Sequence, residues 1–140
     1  MKNIFFLLCL LLGTLQLTAQ TELELITSTV TDYIEGTANG NQDRIRNAFH
    51  EDLNLYAIDG ENKLITRSGQ KYIAAIEEGK KYNRIGHIVS IDYENNAAVA
   101  KVSILMPDIK RMYTDYLLLL KVEGQWKVIH KSYTFVDYPK

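Results

Sequence analysis

The last third of the chain alternates between apolar and polar residues over two stretches of about ten residues, separated by Glu123 and Gly124. This pattern predicts a long β-hairpin from Tyr113 to Phe135, because Gly accepts the positive φ that a tight hairpin turn requires. A two-residue turn fixes the pairing, so that Leu117 is predicted to face His130. One face of the predicted hairpin carries Tyr113, Asp115, Leu117, Leu119, Trp126, Val128, His130 and Ser132.

The opposite face of the predicted hairpin is also partly apolar, which is not expected of a strand with water on that side. We therefore expect one face to pack on helices and the other on a second surface, such as another subunit, which predicts a homodimer. A turn one residue longer would change which residues of the two strands share a face. The second face carries Thr114, Tyr116, Leu118, Leu120, Lys127, Ile129, Lys131 and Tyr133.

Three helices are predicted before the last strands. Apolar residues at helical spacing predict the first, from about Thr21 to Gly36. Asn41 is a suitable N-cap for a second helix, and Ser68 for a third that Gly79 would end. The buried side chains of these helices are predicted to be Leu23, Ile26, Val30, Tyr33, Ile34, Ile45, Phe49, Tyr72, Ile73 and Ile76.

Shorter alternating stretches predict four further strands, which run from 53 to 58, 63 to 66, 85 to 93 and 97 to 106. Helices segregated from an antiparallel sheet make an α+β fold. In the third and fourth of these strands, one apolar face is predicted to carry His87, Val89, Ile91, Ala100, Val102 and Ile104.

The N-terminal stretch has the pattern of a signal peptide, with Lys2 before an apolar run and Ala19 at the expected cleavage site. We therefore expect residues 1–19 to be removed and residues 20–140 to form one exported domain, periplasmic or secreted, with no membrane segment. A retained membrane anchor is the alternative interpretation. Cleavage would remove Cys9, the only cysteine, and a formal charge of −1 without basic clusters argues against a nucleic-acid partner.

The segments YIEGTANGNQDRIRNAFHEDLNLYAIDG, IDYENNAAVAKV and YTDYLLLLKVEGQWKVIHKSY resemble the nuclear transport factor 2-like superfamily. More narrowly, they resemble its putative lumazine-binding branch, near the SnoaL-like polyketide cyclases. The resemblance covers nearly all of residues 20–140. It implies a cone-shaped α+β fold in which a curved antiparallel sheet packs on three helices around a central pocket, and it implies frequent homodimers through the outer sheet face.

The same resemblance leaves the activity open, because the superfamily includes isomerases, dehydratases, cyclases and members without known chemistry. Steroid isomerases of this superfamily carry a catalytic carboxylate at the position that matches Ala57 here. Tyr33 matches the tyrosine region of their first helix. The missing carboxylate argues against enolisation chemistry at that position.

Candidate chemistry on the predicted hairpin centres on His130, which would share a face with Asp115, Ser132 and Tyr113. A histidine oriented by an aspartate can act as a general base, although a structural hydrogen bond explains the same residues. His87 could line the same pocket or be an ordinary core histidine. No local spacing indicates a metal site, and no cofactor is expected.

Two classes of function remain. The first is an exported, non-catalytic binding protein or dimeric interaction protein with a small-molecule ligand. The second is a cofactor-free acid–base enzyme that uses His130, Asp115 and a pocket tyrosine. The predicted ligand-binding residues are Tyr33, Tyr56, His87, Tyr113, Asp115, Trp126, His130 and Ser132.

Overall fold

The computed structural model describes residues 20–138, so the predicted signal peptide and Cys9 lie outside the described residues. Three α-helices, α1 (Glu22–Ala38), α2 (Gln42–Ala48) and α3 (Gly69–Ala74), pack on one sheet. Its six strands are β1 (Phe49–Ile58), β2 (Leu64–Ser68), β3 (Ile85–Glu94), β4 (Ala97–Met106), β5 (Arg111–Val122) and β6 (Gln125–Asp137). None of the helices within residues 20–138 is long and apolar enough to cross a membrane.

The helices begin where the sequence provides caps. Thr21 and Glu24 form a reciprocal capping box at the start of α1. The side chains of Asn41 and Ser68 accept hydrogen bonds from the first turns of α2 and α3, which confirms both predicted N-caps. The third helix ends at Ala74 and not at Gly79 as predicted.

The strand order is β2-β1-β6-β5-β4-β3, and all neighbouring pairs are antiparallel except β1 with β6. The sheet is curved and open, and the helices cover its inner face, as the predicted α+β fold requires. Ile26 and Val30 of α1 and Leu117, Leu119 and Val128 of the last hairpin are buried in this inner core. The helices therefore lie over the half of the hairpin that is nearer its turn.

Glu123 and Gly124 form the turn of the last hairpin, with φ values of 50° and 81°. Two adjacent positive φ values are typical of the type I′ turn, whose twist matches that of the flanking strands. Val122 pairs with Gln125 and Lys121 with Trp126, as predicted. The prediction of a long hairpin closed by a two-residue turn is therefore confirmed.

A β-bulge at Ile129 makes the pairing of β5 with β6 differ from the prediction beyond the pairs nearest the hairpin turn. Leu119 pairs with Val128, but the next pair is Leu118 with His130, so that Ile129 is an extra residue in β6. A bulge of one residue exchanges the faces of every residue that follows it. The prediction that Leu117 faces His130 is wrong, because Lys131 is the partner of Leu117.

A second bulge, at Val89 in β3, has the same consequence for the β3–β4 hairpin. Ile88 pairs with Val102 and Ser90 with Lys101, which leaves Val89 unpaired and half-exposed. His87 pairs with Ser103 on the outer face and is exposed. The prediction that His87 shares the apolar face of Val102 is therefore wrong.

Candidate functional site

The inner face of the sheet carries a buried polar cluster where a continuous apolar core would be expected. Asp115 in β5 and Lys131 in β6 are 0% and 4% exposed, and Lys131 Nζ lies 2.8 Å from Asp115 Oδ2. The Tyr33 hydroxyl of α1 donates to the same Oδ2 atom at 2.6 Å. Because buried charges are costly unless they are paired and hydrogen-bonded, these contacts are needed to hold Asp115 and Lys131 inside the protein.

Tyr33 is the centre of this cluster, since its hydroxyl takes part in three hydrogen bonds. It donates to Asp115 and accepts from Lys131 Nζ and from Arg84 Nη2, the latter at 2.8 Å. Burial, followed by the negative charge of Asp115, raises the pKa of Tyr33 well above its ordinary value. Tyr33 is therefore a neutral phenol at physiological pH and remains the donor to Asp115.

Arg84 brings a second cation to the cluster from the residue that precedes β3. Burial opposes its charge, but the oxygen atoms of Tyr33 and Tyr72 and the carboxylate of Asp115 stabilise it, so that the pKa of Arg84 is raised above its ordinary value. Among residues 20–138, no carboxylate forms an ion pair with Arg84. The cluster thus contains one carboxylate for two cations.

Aromatic rings enclose Lys131 on several sides. Its Nζ atom lies 4.6, 5.5 and 5.4 Å from the ring centroids of Tyr33, Tyr72 and Tyr133. Tyr33 also stacks on Phe49, with centroids 5.4 Å apart. These ring faces attract the ammonium group and exclude water from it.

Within the described part of the chain, three buried polar atoms lack a hydrogen-bond partner, and all three belong to this cluster. They are Tyr72 Oη, Arg84 Nε and Asp115 Oδ1. Buried polar groups are nearly always hydrogen-bonded, so a concentration of orphaned atoms needs an explanation such as a bound molecule. Two of the atoms are on donors and one is an acceptor.

A concave pocket of about 390 Å³ opens at the end of the inner face that lies away from the hairpin turn. Tyr113 and Phe135 pair across β5 and β6 there, and Ala57 and Ile65 pair across β1 and β2. Tyr133 lines the same pocket, and its ring is the one that contacts Lys131. The half-buried side chain of Tyr133 therefore contacts both the pocket and the buried cluster.

A crevice of similar size, about 400 Å³, lies elsewhere, between α3 and the start of β1. Its lining includes Arg46, His50, Glu51 and Gln70, and it contains none of the three orphaned atoms. The lining of the pocket beside Tyr133 contains none of these atoms either, and size does not distinguish the two cavities. The contact between the ring of Tyr133 and Lys131 of the cluster favours this pocket as the functional site.

The structure brings together only part of the predicted ligand-binding set. Tyr33 and Asp115 meet in the buried cluster, Tyr113 lines the adjoining pocket, and Trp126 is buried in the core beside the hairpin turn. Four of the predicted residues lie on the outer face of the sheet, because of the two bulges or through strand alternation: Tyr56, His87, His130 and Ser132.

His130 therefore does not lie beside Asp115. Its Nε2 atom is 2.7 Å from Ser132 Oγ, and its ring stacks on Tyr56 with centroids 4.8 Å apart. Because of the bulge at Ile129, Lys131 and Tyr133 lie on the inner face where His130 and Ser132 were predicted. Lys131 and Arg84 were not predicted as site residues, and the adjacent pair Val128-Ile129 was the one signal that the strict alternation is interrupted.

Comparison with known proteins places this geometry in context. The family model described as putative lumazine-binding matches residues 21–134. Aldolase FrzH of Cladobotryum sp is 28% identical over 121 residues, which cover 85% of this chain and 94% of that protein.

Solved structures with the same fold include nuclear transport factor 2-like proteins of unknown function. One from Shewanella baltica is 26% identical, covers 87% of this chain and 100% of its own, and has a TM-score of 0.72. Another, from Methylobacillus flagellatus, is 22% identical over 85% of this chain and 96% of its own, with a TM-score of 0.71. A putative scytalone dehydratase from Novosphingobium aromaticivorans is 17% identical over 85% and 89%, with a TM-score of 0.61.

Proposed function

The chain belongs to the putative lumazine-binding family of the nuclear transport factor 2-like superfamily, and from the geometry of its inner face we propose that it binds a small planar organic molecule. The observation that carries this proposal is the group of three orphaned polar atoms around Tyr33, Asp115 and Lys131. A ligand with an oxygen acceptor and a neighbouring hydroxyl or N–H donor would satisfy them. The aromatic walls of the adjoining pocket suit a flat molecule.

We propose that the ligand reaches the cluster by passing the side chain of Tyr133. This residue lines the pocket and contacts Lys131, and its side chain is only half-buried. Rotation of one half-buried side chain is a small rearrangement, of the kind that often accompanies binding at an otherwise unchanged backbone. The pocket would then extend from Phe135 and Tyr113 to Asp115.

A thermal-shift screen of residues 20–140 against planar aromatic metabolites tests this function. A ligand of the native state at 100 times its Kd stabilises the fold by about 2.7 kcal/mol, which is readily measured. The hits are then titrated against Tyr113→Ala, whose side chain lines the pocket, and against Tyr116→Ala, whose side chain is exposed on the outer face of the same strand.

We expect Tyr113→Ala to weaken binding by about tenfold or more, since a stacked aromatic side chain contributes on the order of 1–3 kcal/mol. Tyr116→Ala should bind like the parent. A screen without hits, or hits that both variants bind equally well, would refute a ligand site in this pocket.

A cofactor-free acid–base enzyme is the second candidate, and one specific observation favours it. Asp115 Oδ1 is an orphaned carboxylate oxygen, while Oδ2 is held by Tyr33 and Lys131. A fixed carboxylate with a free oxygen can take a proton from a carbon beside a carbonyl group, and Arg84 or Tyr72 could stabilise the resulting oxyanion. The relative named Aldolase FrzH is compatible with such chemistry.

Exchange of carbon-bound hydrogen with deuterium separates the two candidates. An acid–base enzyme should accelerate exchange beside the carbonyl of a bound ketone, as followed by proton NMR, and Asp115→Asn should abolish the acceleration. Binding without accelerated exchange supports the non-catalytic function.

We also propose that the outer face of the sheet forms a homodimer. Tyr116, Leu118 and Leu120 of β5 are 46%, 46% and 39% exposed in the single chain, next to Val99 of β4. Tyr133, predicted to belong to this face, points inward after the bulge. A contiguous apolar patch is unusual on a soluble monomer, so light scattering should give twice the chain mass, and Leu118→Lys should give the monomer.

Export remains a proposal that follows from residues 1–19. The pattern of Lys2, the apolar run and Ala19 motivates it. Intact mass spectrometry of the native protein should find a chain that begins near Gln20. A cytoplasmic product that retains Met1 would contradict it.

A further inference from the structure

The charge balance of the buried cluster bears on the class of molecule that the site takes. The cluster contains Lys131 and Arg84 but only one carboxylate, Asp115, which is already paired with Lys131. The hydroxyl of Tyr33 stays protonated and contributes no charge. One positive charge is therefore left without a partner within the described residues of this cluster.

Arg84 lies at the same end of the sheet as the pocket. It directly precedes β3, whose first residue, Ile85, pairs with Leu105, which pairs in turn with Met112 of β5. Met112 is the neighbour of Tyr113, which lines the pocket. Arg84 thus starts from the end of the sheet at which the pocket opens, and its guanidinium reaches the Tyr33 hydroxyl of α1 at 2.8 Å.

Tyr72 approaches the same place from α3. Its ring lies 5.5 Å from Lys131 Nζ and 5.3 Å from the guanidinium carbon of Arg67, which stands on β2. Both Tyr72 Oη and Arg84 Nε are buried atoms that can donate a hydrogen bond and have no acceptor within residues 20–138. Two orphaned donors, one of them on the unpaired cation, suit a buried oxyanion.

We propose that Arg84 and Tyr72 form an anion subsite that recognises a carboxylate or an enolate oxygen of the ligand. This inference rests on the proposed binding function and names its ligand class, a small aromatic or unsaturated acid. The Nε–H of Arg84 and the hydroxyl of Tyr72 donate to the anionic oxygen. Asp115 Oδ1 is left to accept a hydrogen bond from a hydroxyl or N–H group of the same ligand.

Other charged groups near the pocket do not cancel this preference. Asp59 lines the far side of the pocket, but its Oδ1 atom accepts hydrogen bonds from the backbone N–H groups of Glu61 and Lys63. Arg67, stacked on Tyr72, adds a further positive charge. The balance of charge around Tyr72 is therefore positive.

Matched pairs of an acid and its neutral amide test the subsite directly. Benzoate and benzamide, phenylacetate and phenylacetamide, and cinnamate and cinnamamide have nearly the same shape and differ in charge. Calorimetric titration of residues 20–140 gives the ratio of the two Kd values for each pair. We expect at least one acid to bind about tenfold or more tightly than its amide, because charge-assisted hydrogen bonds are the stronger ones.

Two variants should remove this preference. Arg84→Gln removes the charge, and the ratio should fall to within about threefold. Tyr72→Phe keeps the ring and removes only the orphaned hydroxyl, so it should fold normally and reduce acid binding by several fold without affecting the amide. Arg46→Gln, in the crevice between α3 and β1, is the matched control and should keep the parent ratio.

The outcomes distinguish the subsite from the binding function itself. Amides that bind as tightly as acids, with Tyr113→Ala weakening both, would leave the pocket in place and overturn the anion subsite. Loss of acid binding in Arg46→Gln and not in Arg84→Gln would move the anion to the other crevice and also overturn it. A failure of all six compounds to bind would overturn the subsite, while neutral hits from the metabolite screen would still support the pocket.

Discussion

Removal of Lys131 should destabilise this protein far more than removal of an ordinary surface lysine. In Lys131→Met the side chain keeps most of its length and loses its charge, which leaves Asp115 buried without its ion-pair partner. The side chains of this pair are 5% and 1% exposed. Lys63 provides the control, since it pairs with Glu61 at 2.5 Å but both side chains are more than 70% exposed.

The magnitude follows from the geometry of the pair. Two unit charges 2.8 Å apart attract by about 6 kcal/mol at an effective dielectric constant of about 20. Desolvation of both ions, several kcal/mol each, already offsets much of this attraction in the parent. When one partner is removed, the carboxylate remains buried and unpaired, and the expected loss is about 3–5 kcal/mol. Lys63→Met should cost less than about 1 kcal/mol.

The double variant Asp115→Leu with Lys131→Met separates the pair interaction from the cost of burial. Because it removes both charges, it should be more stable than Lys131→Met alone, and the coupling energy of the cycle should exceed about 2 kcal/mol. Urea unfolding followed by the fluorescence of Trp126, the only tryptophan, measures all four proteins. A loss below about 1 kcal/mol for Lys131→Met, or strictly additive effects in the cycle, would refute the buried ion pair.

Three further predictions address the core, the two faces of the sheet and the pH dependence. Gly86→Ala should lower the free energy of unfolding by about 1–3 kcal/mol, because a Cβ there would lie 2.3 Å from Ile34 Cγ2. Gly60→Ala is the control and should be neutral, since a Cβ there meets nothing within 4 Å. Equal stabilities of the two variants in urea would contradict the close contact between α1 and β3. Trp126→Ala should lower the free energy of unfolding by about 3–5 kcal/mol, because this side chain is buried. His130→Ala should lower it by less than about 1 kcal/mol and leave ligand affinity unchanged. Equal losses of stability would show that His130 is part of the core. Hydrogen bonds from Lys121 and Trp126 lower the pKa of Glu22 in the folded protein. The contribution of Glu22 to stability is therefore complete above the unfolded pKa of about 4.3 and is lost as the pH falls through the folded pKa. Glu22→Gln should flatten the acid limb of a plot of stability against pH, and an unchanged limb would contradict this effect.

The elements of this fold were predictable because each depends on residues close together in the chain. Asn41 and Ser68 cap the helices that follow them, and Glu123-Gly124 closes the long hairpin. Such local rules are decided by a few backbone angles and hydrogen bonds. The family resemblance supplied what local rules cannot, namely the arrangement of the helices on the inner face of the sheet.

The site was predicted only in part because it depends on register over a longer range. Two bulges, at Ile129 and Val89, moved His130, Ser132 and His87 to the outer face. Each bulge occurs where two β-branched apolar residues are adjacent, Val128-Ile129 and Ile88-Val89, and so interrupts the alternation. An adjacent apolar pair within an otherwise alternating strand was therefore the available signal.

Lys131 could not be recognised as a buried residue from its neighbours in sequence. Lysine is almost never fully buried unless it is paired. Its partners, Asp115 and Tyr33, are 16 and 98 positions away, and only the folded sheet and α1 bring them into contact. Asp115 and Tyr33 were predicted as site residues, but the cation that joins them was not.

A crystal structure with a bound acid tests the central claim most directly. The protein comprising residues 20–140 would be co-crystallised with the aromatic acid that binds most tightly in calorimetry. We expect density beside Tyr113 and Tyr133, with a carboxylate oxygen within hydrogen-bond distance of Arg84 Nε and Tyr72 Oη. An acid bound in the crevice around His50, or water molecules alone on the three orphaned atoms, would contradict it.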